Sequence, residues 1–183
     1  MTEAAGLAGE RMERRWGMVS LGIMALLVFM ATFAGVHQAT MPQASVETVD
    51  PRTLHIAGEF IESNLGSAVE PDGSVTVRLI GQQYSFTPQC ILVPANTRIT
   101  FRGASADVVH GFLIQHTNVN LMLVPGYVST ISARFTAPTE SLMPCHEYCG
   151  TGHEAMWAHV RIIDKAKFMQ LAQQRPRLDC VSQ

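Results

Sequence analysis

At 183 residues, 47% of them hydrophobic, the chain has room for one domain of ordinary size plus an accessory segment. Its net charge of −2, with both signs dispersed, offers no basic field and sets a nucleic-acid partner aside.

The first element in chain order is an uncharged run, GMVSLGIMALLVFMATFAGV, over 17–36. A helix of that length, at 1.5 Å per residue, spans about 30 Å, the thickness of a bilayer's hydrocarbon core. Its Leu, Ile, Val and Phe residues together favour insertion by on the order of −4 kcal/mol, and no Asp, Lys or Arg opposes them. Arg11, Arg14 and Arg15 precede the run, whereas the first basic residue after it is Arg52. The positive-inside rule therefore expects residues 1–16 in the cytoplasm and the rest of the chain on the extracytoplasmic or periplasmic side of a cell (inner) membrane. A cleaved signal peptide would have a shorter apolar core and a small-x-small site, but GVHQA puts His37 where a small residue is wanted. The expectation is a retained, single-pass transmembrane helix in lipid. Residues 37–73 are polar and rich in turn formers, and read as a linker with a short helix begun at Asp50-Pro51.

From Ser74 the pattern changes to short β-rich runs broken by turn residues. SVTVRLI, QCILV, RITFR, VVHGFLI, VNLMLV, YVSTISARF and AHVRII recur at roughly 8–12-residue intervals, which predicts an all-β, antiparallel sandwich or barrel over 74–164. In VSTISARF, Ser129, Ile131, Ala133 and Phe135 alternate with Val128, Thr130, Ser132 and Arg134, implying one buried face. Residues 165–183 read as a C-terminal helix and tail, with Phe168, Leu171 and Ala172 at helical spacing and an end before Pro176. Cys90 and Cys180 would both face an oxidising compartment. They either pair with each other, or leave Cys90 inert and Cys180 in a loose tail; the sequence does not fix their Cα separation, so both readings stay open.

The chemistry is concentrated in LMPCHEYCGTGHEAMWAHV, residues 142–160. Cys149, His153 and Met156 supply thiolate, imidazole and thioether in the order of a mononuclear cupredoxin site, and His110, in a strand-like run upstream, is available as the second imidazole. Cys145 adds a second thiolate. One thiolate makes a blue copper site, whereas two can bridge a pair of copper ions, each ion then taking one imidazole and one weak donor: the Met156 thioether, or a main-chain carbonyl between the cysteines, where Glu147 is the midpoint. Three other readings compete. The two cysteines could form a disulfide, zinc could take Cys145, Cys149, His153 and His110 but has no use for a methionine, and a c-type haem would need CxxCH, which the chain lacks.

At this point the residues resemble a known family. CHEYCGTGHEAMW is similar to the binuclear copper A loop, C-x-E-x-C-x-x-x-H-x-x-M, of subunit II of haem-copper cytochrome c oxidases, and DVVHGFLI and LVPGYVST resemble that domain's two preceding landmarks. The single span resembles the B-type branch of these oxidases. The resemblance implies a cupredoxin-like Greek-key domain that takes electrons from a soluble or membrane-attached cytochrome c and passes them to haem in the catalytic subunit I. It would be a redox relay within a proton-translocating oxidoreductase, with no catalytic site of its own. It also implies that His110, Cys145, Glu147 through its carbonyl, Cys149, His153 and Met156 are the copper ligands, and that the Glu147 carboxylate helps to hold magnesium at the border with subunit I. The family's aromatic strand would correspond to GQQYSFTP, in which only Tyr84 and Phe86 are aromatic. Trp157 would cap the copper loop or take part in electron transfer. Competing functions are the copper A subunit of a nitric oxide reductase and a membrane-tethered copper carrier. A carrier would hold copper loosely on exposed Cys and Met, whereas these ligands come from two segments joined by predicted strands.

Overall fold

The computed structural model describes residues 2–37 and 46–180. The chain forms two units, Met1–Ala44 and Ser45–Gln183. The first is the helix α1 (Thr2–His37). It contains the apolar run and continues back through EAAGLAGERMERRW, whose Ala, Leu, Glu, Met and Arg are strong helix formers. Its segment Gly9–Val36 is long and apolar enough to cross a membrane, and every side chain along it is exposed, as a lipid-facing helix requires.

The second unit is a β-sandwich. Its strands are β1 (Gly66–Val69), β2 (Val75–Gln82), β3 (Ser85–Thr87), β4 (Cys90–Pro94), β5 (Ile99–Ser105), β6 (His110–Leu113), β7 (Asn120–Leu123), β8 (Ser129–Ala133), β9 (Thr139–Pro144) and β10 (Trp157–Ile163), followed by α2 (Lys165–Ala172). One sheet runs β1-β2-β5-β8 with β3 on β2, a second runs β4-β10-β9, and β6-β7 form a ribbon. The sheets are mixed, not wholly antiparallel: β2 lies parallel to β5, and β4 parallel to β10. The chain leaves β2, passes through the facing sheet at β4 and returns to β5, so the two neighbours point the same way. Val75, Val77 and Leu79 of β2, Phe101 of β5 and Val160 and Ile162 of β10 fill the space between the sheets. Phe101 packs on Phe112 and Phe135 at ring separations of 5.9 and 6.4 Å, within the range of favourable aromatic pairs.

The expected linker is corrected by the structure. Its first part, residues 38–45, lies outside the described residues, but from Val46 the chain is built into the folded unit. The turn at Pro51–Thr53 forms with Asp50 as cap, its carboxylate accepting the Arg52 N–H at 3.0 Å. Thr48 pairs with Tyr127, and Leu54, Phe60 and Leu65 are buried against Ile80 and Ala104 in a second cluster. That cluster lies on the outer face of β2 and β5, where Arg78 and Arg102 also emerge. Glu59 ion-pairs both arginines, and Glu47 adds to Arg102. Residues 46–65 thus strap the outer face with apolar contacts and charge.

At the other end, Asp164 caps α2 by accepting the Ala166 N–H at 2.8 Å, and Phe168 is buried. Leu178 exchanges backbone hydrogen bonds with Ser67 at 2.8 and 2.9 Å, closing the β1 edge. Cys90 and Cys180 form a disulfide with a Cα separation of 5.4 Å, which decides between the two readings of that pair.

Candidate metal centre

Two segments meet at one end of the sandwich: the start of β6, which carries His110, and the loop between β9 and β10, which carries the other five positions. Backbone pairing sets their distance. Phe112 bridges to Cys145, and the His146 N–H donates to the Gly111 carbonyl at 2.7 Å. The approach is close enough that a Cβ on Gly111 would lie 3.2 Å from the His146 carbonyl carbon. Within the loop, the Cys145 N–H donates to Met156 O at 2.9 Å, folding the two ends together, and a short turn over His153–Ala155 aims His153 inward.

The donor atoms then form a connected chain. His110 Nδ1 lies 3.9 Å from Cys145 Sγ, which lies 3.2 Å from the Glu147 carbonyl oxygen and 3.8 Å from Cys149 Sγ. Cys149 Sγ is in turn 3.6 Å from His153 Nδ1 and 3.7 Å from Met156 Sδ. The two cysteines are unbonded, which removes the disulfide reading of CHEYC. His110, Cys145, Cys149 and Met156 are buried, and the His110, Cys145 and Cys149 donor atoms lie within 4.8 Å of one another. The structure therefore brings all six sequence-predicted positions to one place.

The surroundings of His110 and Cys149 matter most. Asp107 Oδ1 lies 2.7 Å from His110 Nε2, so the carboxylate accepts the Nε2 proton and the Nδ1 lone pair faces the sulfurs, an arrangement common for metal-binding histidines. Burial alone would raise the Asp107 carboxyl, but hydrogen bonds from the Gln83 N–H, His110 and the Val108 N–H outweigh it and hold the group below the usual carboxylate range. Burial, with the Cys145 thiol beside it, pushes the Cys149 thiol up to about 11. That shift favours the protonated Cys149 thiol at neutral pH, and a cation held there would have to compensate the charge of the Cys149 thiolate.

The sequence reading did not single out Asp107 or Gln83. Asp107 stands three residues before His110, a spacing that carries no general signal, and Gln83 reaches Cys149 from 66 residues away, with its side-chain amide donating to the Cys149 carbonyl. Tyr84, from the segment matched to the family's aromatic strand, lies on the loop: a Cβ on Gly152 would come within 2.7 Å of its ring, so glycine is needed there for close approach. Trp157 is half-exposed and donates from Nε1 to the Glu154 carbonyl at 2.6 Å, fastening the outer side of the loop.

Comparison with known proteins matches residues 76–163 to the cytochrome c oxidase subunit II periplasmic domain family. A cytochrome c oxidase subunit 2 from Thermus thermophilus is 32% identical over 148 residues, covering 79% of this chain and 88% of that protein. A second Thermus thermophilus sequence of the same name is 32% identical over 120 residues, covering 66% of this chain and 89% of its own. In fold, the chain is similar to one from a haem-copper terminal oxidase dimer solved by cryo-EM, with a TM-score of 0.54, 22% identity, and coverage of 79% of this chain and 96% of that one. The relatives are parts of an oxidoreductase complex, and the cupredoxin-like sandwich, the apolar helix and the Cys/His cluster agree with them. On the length and identity of the match to the first of these relatives, the chain belongs to the cytochrome c oxidase subunit II family.

Proposed function

We propose that the folded unit holds a binuclear copper A centre and acts as the electron-receiving subunit of a haem-copper oxidase, taking electrons from a cytochrome c and passing them to haem in subunit I. The observation that carries this reading is the pair of unbonded sulfurs 3.8 Å apart, each with one imidazole nitrogen and one weak donor beside it. Cys145 has His110 Nδ1 and the Glu147 carbonyl; Cys149 has His153 Nδ1 and Met156 Sδ. Two ions sharing both sulfurs would each find the same kinds of ligand. Soft thiolate and thioether donors favour copper, and the buried methionine sulfur, for which zinc has no use, argues against a zinc site.

The bound copper pair would supply a one-electron couple. The protein's part is to hold the donors still and dry. His110 is fixed by Asp107, and Cys145 and Met156 are tied through the backbone, so the ligands have little room to move when charge changes. Tyr84, Val108 and Tyr148 are exposed near the loop. With the nearly balanced charge, they support docking of the cytochrome through apolar contact and not through long-range steering. The Glu147 carboxylate, whose carbonyl serves the sulfurs, would supply one ligand to magnesium at the border with subunit I. Two independent features support an extracytoplasmic folded unit: the arginines that precede the apolar run, and a disulfide of the kind that persists in an oxidising compartment.

Purification of the chain in detergent tests the reading. The expected result is two copper ions per chain, one unpaired electron shared equally between them when oxidised, and a haem-bearing, many-span protein that co-purifies. A single copper with localised hyperfine structure, or no copper, overturns the binuclear centre.

A further inference from the structure

We propose that Gln83 is a positioning residue for the metal centre, clamping the His110 side to the Cys149 side with its backbone and side-chain amides. The role rests on the copper reading above. The ligands come from two segments, and the direct backbone links between them, Phe112 with Cys145 and Gly111 with His146, all fall on the Cys145 side of the loop. Past Glu147 the loop has left β6. On the Cys149 side the tie comes from the turn between β2 and β3, where the Gln83 N–H donates to Asp107 Oδ2 at 2.7 Å. The other oxygen of that carboxylate, Oδ1, lies 2.7 Å from His110 Nε2. Gln83 Nε2 donates to the Cys149 carbonyl. One residue therefore holds the carboxylate that orients one ligand and the main chain that carries the other.

The loop is shaped to admit this side chain. Gly150 has φ +134°, and a Cβ there would stand 2.9 Å from Gln83 Nε2 and 2.5 Å from Tyr84 Oη. Any other residue would strain the backbone and block the amide from the carbonyl it binds. By contrast, the neighbouring Gln82 side chain points elsewhere, its Oε1 lying 3.1 Å from His55 Nε2 on the strap. Gln82 and Gln83 are thus adjacent glutamines with separate partners, and each is a control for the other.

The test uses the full chain in detergent, loaded with copper, in wild-type, Gln83→Ala, Gln83→Glu and Gln82→Ala forms. Copper loss to an excess of chelator and the electron paramagnetic hyperfine pattern are followed. Gln83→Ala is expected to lose copper about tenfold faster than wild type and to alter the hyperfine pattern, as removal of an outer-shell partner does. Gln83→Glu keeps the length but sets an acceptor against the Cys149 carbonyl, so it should lose copper at least as fast as Gln83→Ala. Gln82→Ala should match wild type in both measurements. A Gln83→Glu chain that behaves as wild type would show that the side chain only fills space, and overturns the proposal even if Gln83→Ala fails to fold. Wild-type chain that holds the paired centre while both Gln83 variants retain copper equally well sinks the clamp alone; wild-type chain without paired copper sinks the centre itself.

Discussion

The loop between β9 and β10 and the strap over residues 46–65 are held to the same sandwich by different means. The loop is pinned at its base by backbone hydrogen bonds, and the sulfur atoms of Cys145, Cys149 and Met156 sit at the end of the central core. The strap is fastened by Leu54, Phe60 and Leu65 in a closed cluster and by the Glu59 and Glu47 pairs to Arg102. Burial of a large apolar side chain is worth about 1.5–3 kcal/mol, whereas a net hydrogen bond is worth about 1 kcal/mol. Stability is therefore invested in the strap and chemistry in the loop, and each should be breakable without the other.

The largest effect belongs to the loop. If the proposed copper pair is correct, Cys145→Ser removes one of the two sulfurs that the ions would share while Cys149, His153, Met156 and His110 remain, so the shared-electron spectrum is expected to vanish and copper to fall from two per chain to one. Thermal unfolding of the metal-free chain should shift by only a few degrees, because no cavity is opened. A large drop in metal-free stability would break the separation. Phe60→Ala is the mirror experiment. The ring is fully buried, and its loss is expected to lower stability by about 3–5 kcal/mol, while the folded fraction still takes up two copper ions. Urea unfolding combined with copper analysis reads both halves.

The same contrast governs what could be read from the sequence. Within the 12 residues from Cys145 to Met156, the identities of the side chains announce the chemistry, since few folds need two thiols, an imidazole and a thioether so close together. The strap shows no such sign. Leu54, Phe60 and Leu65 follow neither a period of 2 nor one of 3.6, and they find their partners on a β2–β5 face whose Arg78 and Arg102 read as solvent-facing. β9 was hidden for a related reason, with Met143 its one fully buried side chain in a run that begins with turn formers. Strand direction was hidden too, because a parallel and an antiparallel neighbour demand the same alternation. Gln83 and Asp107 act through hydrogen bonds between segments far apart in sequence, and no local pattern marks them.

The disulfide gives an intermediate effect. Cys180→Ser opens a loop of 90 residues, for which the chain-entropy account allows about 4–5 kcal/mol and typical measured losses are about 2–5 kcal/mol. Leu178 keeps its two hydrogen bonds to Ser67, so the tail should loosen without detaching. Faster tryptic cleavage after Arg177, a lower unfolding temperature and unchanged copper content are expected together. Loss of copper in this variant would tie the tail to the ligand loop and contradict the division drawn above.

The smallest effect is a pH dependence carried by the strap. Burial by itself would raise the Glu59 carboxyl, but hydrogen bonds and charge from Arg102, and then from Arg78, outweigh it and hold the group below the usual carboxylate range. A folded-state pKa below the unfolded one means that, in the window between them, the unfolded chain binds more protons, so stability rises with pH there. The contribution is fully present above the ordinary Glu value of about 4.3 and is lost as the pH falls through the lower folded value. Because the pairs are partly open to solvent, they should be worth about 1 kcal/mol or less, and less again at high salt. Metal-free wild-type chain is therefore expected to lose more stability on acidification below pH ~4 than Glu59→Gln does, since the amide has no proton to gain. Urea midpoints measured for both across that range provide the check. Parallel curves would mean that Glu59 is as easily protonated in the folded chain as in the unfolded one, leaving the strap fastened by its apolar cluster and the Glu47–Arg102 pair.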